Sequence, residues 1–146
     1  MPTTAARPLI QLLMVDDNGM GLQARQAVLE ELGYRVTTAG NAEDALELLA
    51  AGTPFDIVIT DFKLPAKNGR DLIQEILRRK LPVATILLSG FVDAMGLNEA
   101  NTGADAVIQK SANEVSHLVR SVKTLAKRRK PMNDAAPPAG SERKKA

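Results

Sequence analysis

The sequence contains no cysteine and no tryptophan, one histidine, and only 3% aromatic residues among its 146 positions. Without cysteine there is no disulfide framework, thiolate zinc site, iron–sulfur cluster or cysteine nucleophile. A single histidine, His117, excludes a histidine-rich metal site, and its place between core positions of a helix makes it a surface residue. The shortage of aromatics argues against an RNA-stacking platform or a carbohydrate cleft. Long apolar runs are also missing. The longest, over 81–92, is interrupted by proline, serine and glycine and is far short of the ~20 residues needed to cross a bilayer. Residues 1–8 carry one arginine and no apolar stretch, so no signal peptide is expected and a cytoplasmic location is.

What is present suits one globular domain: 45% hydrophobic and 25% charged residues, enough to fill a core. The net charge of +2 conceals an asymmetry. Residues 1–122 hold 11 Lys and Arg against 15 Asp and Glu, a net of −4, whereas residues 123–146 hold 8 against 2, a net of +6. The chain divides into an N-terminal extension (1–9), an acidic folded domain (10–130) and a basic tail (131–146). The tail is rich in proline and alanine, lacks apolar periodicity and is expected to be disordered.

Along the domain, short apolar runs alternate with helix-period segments. Strands are predicted over 11–15, 34–38, 55–60, 83–88 and 104–109, and helices over 22–32, 42–51 and 71–80, weakly over 93–101, and from about 114. Asn41 is a candidate N-cap, Gly33 and Gly52 are helix stops, and Ser111 with Glu114 forms a capping-box pattern. Leu72, Ile73, Ile76 and Leu77 are expected to face inward, as are Val115, Leu118, Val119, Val122, Leu125 and Ala126. Continuous apolar strands between amphipathic helices specify a parallel sheet covered on both faces. The predicted fold class is α/β, a doubly wound five-stranded parallel sheet of order 2-1-3-4-5, the flavodoxin-like (βα)5 arrangement.

Ligands in such sheets bind at the carboxyl ends of the strands. Those ends carry Asp16 and Asp17 (strand 1), Asp61 (strand 3), Ser89 (strand 4) and Lys110 (strand 5). Three converging carboxylates repel by several kcal/mol (about 4 kcal/mol per pair at 4 Å and an effective dielectric of about 20). A hard divalent cation relieves this, and all-oxygen ligands suit Mg²⁺. Asp61 would then attack a phosphoryl group as a carboxylate nucleophile, with Lys110 and Ser89 on the phosphoryl oxygens.

Over about 11–127, these residues resemble the receiver domain of two-component response regulators: Asp16-Asp17, Asp61 followed by Leu64-Pro65 and Gly69 in a D-x-x-L-P-x-x-x-G pattern, Ser89-Gly90, and Lys110, each at its strand end. The chemotaxis member of that family has this same strand order. The resemblance implies that Asp61 is the phosphoacceptor and that Mg²⁺ is held by Asp16, Asp17, Asp61 and the Lys63 backbone carbonyl. It implies that Ser89 is the switch hydroxyl, that Lys110 pairs with the phosphoryl group, and that Lys63 and Phe91 tune its lifetime. Lys63 either reaches over the acidic pocket or points to solvent. The implied donor is a histidine kinase or phosphotransfer protein, and the implied output is a protein partner at the face of helix 4, strand 5 and helix 5.

Two positions depart from the family pattern. Ser111 stands where a cis proline usually follows the lysine, so the Lys110–Ser111 bond is either trans, with Lys110 aimed differently, or strained. Val107 stands where the family usually has an aromatic switch. Nucleic acid enters only through the basic tail, no membrane is expected, and a homodimer is left open. A non-enzymatic switch, stand-alone or part of a longer chain, is the expected function. The rivals are a phosphate-independent interaction module and, further off, a small aspartyl-phosphate phosphotransferase. The latter would want an acid where Lys63 stands. Flavin binding lacks its phosphate loop.

Overall fold

Every residue of β3 (Ile57–Asp61) and β4 (Ala84–Ser89) is buried, as strands covered on both faces require. With β1 (Gln11–Val15), β2 (Arg35–Ala39) and β5 (Ala106–Gln109) they form one parallel sheet in the order β2-β1-β3-β4-β5. The computed structural model describes residues 9–129, so most of the expected N-terminal extension and the whole basic tail lie outside the described residues. The helices are α1 (Gly19–Glu31), α2 (Ala42–Ala50), α3 (Gly69–Arg78), α4 (Val92–Met95), α5 (Glu99–Thr102) and α6 (Glu114–Arg129).

The period of two along each strand divides the core. Leu12, Met14, Ile57, Ile59, Ile86 and Leu88 turn to one face and pack on Leu29 of α1 and on Leu118, Val122 and Leu125 of α6. Leu13, Val15 and Val58 turn to the other, against Ala42, Ala45 and Leu46 of α2 and Leu72 and Ile76 of α3. Ile73, Leu87, Leu97 and Ala104 make a smaller third cluster. Asparagine opens four helices: Asn18, Asn41, Asn68 and Asn98 each accept from backbone N–H groups of the first turn. Each cap contributes about 1 kcal/mol.

Several expectations are corrected. The first helix starts at Gly19, three residues before the predicted start, because Asn18 caps it there. The weak helix expected over 93–101 is two short ones, since Gly96 takes a left-handed φ of +65° and Asn98 restarts the chain. The capping box at Ser111 does not form: Ser111 Oγ accepts from Asn113 N–H, and the Glu114 carboxylate goes instead to Arg25. Hence Val115 is exposed, because in the first turn of α6 it is Glu114 that turns inward. Leu77 is also exposed and lies at the rim against Gly103, where its Cδ1 would be 2.5 Å from an added Cβ.

Candidate functional site

The strand ends place the chemistry. β1 and β3 pair in register with Val15 opposite Thr60, so Asp16 and Asp61 leave adjacent strands side by side. Asp17 follows on the exposed side. One carboxylate oxygen from each of Asp16, Asp17 and Asp61 lies within 4.8 Å of the others. Asp16 and Asp61 are buried. Across the crevice, β5 delivers Lys110, whose ammonium bonds Asp61 Oδ1 at 2.7 Å. No described peptide bond is cis, so Lys110–Ser111 is trans, and Lys110 still reaches Asp61. The serine in place of proline has not moved the ammonium out of the pocket.

Ser89 is buried at the end of β4 with its Oγ accepting from Phe91 N–H at 3.0 Å, which leaves the hydroxyl proton for another acceptor. Asp61, Phe62, Lys63, Ser89, Gly90, Phe91 and Lys110 line a small cleft. Lys63 is exposed at the cleft mouth, the solvated course of the two expected. Its ammonium lies 5.5 Å from the ring centroid of Phe91, so the two residues at the cleft mouth cover one another. Val107 is half-buried against the cluster of Ile73, Leu87, Leu97 and Ala104. Its role as a ring switch is closed by its chemistry.

Two residues at or beside the site carry no expectation from the sequence. Arg25, in α1, is buried with 8% exposure, and its Nη1 bonds Asp16 Oδ2 at 2.9 Å. Its Nε donates to Glu114 Oε2 at 2.7 Å. The signal was its spacing. Arg25 falls between Leu22 and Leu29 at i+3 and i+7 of the inward stripe, where a charge needs a buried partner. Gln109 was also missed. Its Oε1 accepts from Val92 N–H at 3.0 Å and its Nε2 donates to the Gly90 carbonyl at 2.8 Å, so β5 caps α4, which has no cap of its own.

The electrostatics favour a cation. Burial, with the Asp16 charge added, pushes the Asp61 carboxyl above its ordinary range; the bond and charge of Lys110, and the Arg25 guanidinium, draw it back without cancelling. Three carboxylates are met by two cations, Lys110 and Arg25. The donors are oxygen only, and Asp17 stands exposed at the opening. The residues present therefore fit a hard divalent ion.

The loop that follows β3 is held under strain. Ala66 has φ +67°, and Lys67 N–H donates to the Pro65 carbonyl at 2.8 Å, a tight three-residue turn that non-glycine residues rarely adopt. Ala66→Gly is expected to stabilise the protein by about 0.5–1 kcal/mol, the relief of the left-handed strain less the added chain entropy. Urea unfolding would read it; a loss of stability would show that the turn carries no strain.

The response regulator receiver domain family matches residues 12–123. The chain is 37% identical over 134 residues to the transcriptional regulatory protein AruR of Pseudomonas aeruginosa, covering 88% of this chain and 54% of that protein. It is 33% identical over 103 residues to the response regulator SaeR of Staphylococcus aureus, covering 70% of this chain and 44% of that one. It thus spans about half the length of these curated relatives. Among solved structures, it superposes on the response regulator TrrA of Thermotoga maritima, determined in complex with Mg²⁺-BeF, with a TM-score of 0.71. The identity is 31%, over 80% of this chain and 99% of that one. The acidic pocket at the carboxyl edge of a 2-1-3-4-5 sheet and these likenesses agree: the chain belongs to the response regulator receiver domain family.

Proposed function

We propose that this domain is a phosphoacceptor switch whose nucleophile is Asp61. The observation that carries the reading is the convergence of Asp16, Asp17 and Asp61 within 4.8 Å, with Lys110 on Asp61. Asp61 Oδ1 accepts from Lys110, which leaves Oδ2 to attack the phosphorus of a phosphohistidine. The P–N bond breaks, its electrons go to the imidazole, and an acyl phosphate forms on Asp61. Lys110 offers its ammonium to the new phosphoryl oxygens, and the Ser89 hydroxyl donates to another after leaving its own loop. Asp16, Asp17, Asp61 and the Lys63 carbonyl would hold Mg²⁺, which when bound neutralises phosphoryl charge. Water attack on phosphorus returns the Asp61 carboxylate and releases phosphate, so the domain resets itself after each transfer from the donor.

The donor is a histidine kinase or phosphotransfer protein. The output is a protein partner at the face formed by α4, α5, β5 and α6, with homodimerisation as one form of it and nucleic acid only through the basic tail. The proposed domain limits are 10–130, and the proposed location is cytoplasmic. Among the described residues no helix is long and apolar enough to cross a membrane.

Beryllofluoride with Mg²⁺, the mixture bound in TrrA, tests the reading. Backbone NMR shifts are expected at Asp61, Ser89, Gly90 and Lys110. Their absence would favour the phosphate-independent module. The pairing of Lys63 with Phe91 adds a kinetic expectation. Such a contact is worth about 0.5–1 kcal/mol when exposed. Lys63→Ala and Phe91→Ala should each open the cleft mouth and speed loss of the phosphoryl group about two- to fivefold. Unchanged decay in both variants would show that the pair does not cover the site.

A further inference from the structure

We propose that Arg25 is a resident counter-cation of the acidic pocket: it weakens the grip of Asp16, Asp17 and Asp61 on a divalent ion, and Glu114 of α6 sets how strongly it does so. The inference rests on the functional reading above. A guanidinium never loses its proton in a protein, so its charge is permanent. Buried as it is, it needs carboxylate partners. It has two, from elements far apart in the chain: Asp16 Oδ2 at 2.9 Å and Glu114 Oε2 at 2.7 Å. The other oxygen of Asp16, Oδ1, accepts from Asn18 N–H at 2.8 Å. Both oxygens of Asp16 therefore already hold a donor, whereas Asp17 has no hydrogen bond among the described residues. An entering cation meets Asp17 open to it, Asp61 with one oxygen held by Lys110, and Asp16 with both oxygens held.

Two carboxylates divide one guanidinium. With Glu114 neutral, the whole positive charge acts on the pocket; with Arg25 neutral, Asp16 is uncompensated. The two changes should therefore move cation affinity in opposite directions. A merely structural bridge behaves differently. Either change breaks the same Arg25–Glu114 contact, loosens Asp16 and α6 alike, and shifts affinity the same way.

Calorimetric titration of the unphosphorylated full chain with Mg²⁺ decides it. Arg25→Gln is expected to bind Mg²⁺ about tenfold more tightly than the wild type, and Glu114→Gln about three- to tenfold more weakly. Shifts in the same direction, or none, overturn the proposal. Should Arg25→Gln not fold, Arg25→Lys keeps the charge but loses the fork that spans both carboxylates. It must then bind Mg²⁺ no more tightly than the wild type while Glu114→Gln weakens binding; tighter binding by the lysine variant overturns the proposal. A wild type that takes up no Mg²⁺ overturns the functional reading, whereas wild-type binding with same-direction shifts overturns the role of Arg25 alone.

Discussion

Gly69→Ala is expected to cost the fold about 2–3 kcal/mol and to slow phosphorylation of Asp61. A Cβ on Gly69 would lie 2.2 Å from the Asp61 carbonyl oxygen, 2.9 Å from Leu87 Cδ1 and 3.0 Å from the Asp61 carbonyl carbon. Leucine tips give way; a backbone carbonyl does not. Gly69 N–H also donates to the Phe62 carbonyl at 2.8 Å, so the start of α3 is held against the end of β3. Two effects oppose each other. Alanine is the better helix former by about 1 kcal/mol, while forcing an extra methyl into a packed backbone contact costs about 1–3 kcal/mol or more. With the contact this short, the clash wins. The displaced carbonyl belongs to the proposed phosphoacceptor itself, so reactivity should fall with stability. Urea midpoints and rates of phosphorylation by a small donor measure the two. A more stable, equally reactive variant would contradict the close approach.

Asp61→Asn is expected to raise the stability of the metal-free protein at neutral pH by about 1 kcal/mol. Asparagine removes first the cost of burying a charge and second its repulsion with Asp16, about 1–3 kcal/mol together, and the bond lost from Lys110 offsets about 1 kcal/mol of it. The sign with pH follows from the raised pKa of Asp61. A carboxyl whose folded pKa lies above its unfolded value binds protons more readily in the native state, so its ionisation destabilises the fold above that folded pKa. As pH falls through the raised pKa, the native carboxyl takes up its proton and the penalty fades. The advantage of Asp61→Asn should therefore be full above the raised folded pKa and shrink as pH falls through it towards the unfolded carboxyl pKa. Mg²⁺ should narrow it at neutral pH by stabilising the wild type alone. A variant less stable than the wild type at pH 7 without metal would show that Lys110 more than compensates the buried charge.

The fold was legible because the strands are nearly uniform apolar runs, and their alternation with amphipathic helices leaves few layouts. The residues brought together at the strand ends were legible for the same reason: a strand end is a local feature, and the sheet order does the rest. What was not legible is what depends on pairs distant in sequence. Arg25 lay within a segment read as an ordinary amphipathic helix, and its second partner, Glu114, is 89 residues further on. That pairing also undid the capping box expected at Ser111 and exposed Val115. Gly69 belonged to a motif whose physical reason, the Asp61 carbonyl 2.2 Å from where its Cβ would be, exists only in three dimensions. Lys63 and Phe91 share an implied role in the phosphoryl lifetime, but nothing in their 28-residue separation indicates that one lies over the other. The helix expected over 93–101 failed on a single backbone position, the left-handed Gly96.

The central claim is that the Asp61 carboxylate accepts a phosphoryl group in a reaction that requires Mg²⁺. The full chain is incubated with a small phosphodonor such as acetyl phosphate, with Mg²⁺ or with a chelator, and its intact mass is measured. The wild type should gain the mass of one phosphoryl group with Mg²⁺ and none with the chelator, and Asp61→Asn should gain none in either. A wild type that stays unmodified under these conditions, or an Asp61→Asn protein that is modified equally, would contradict the account.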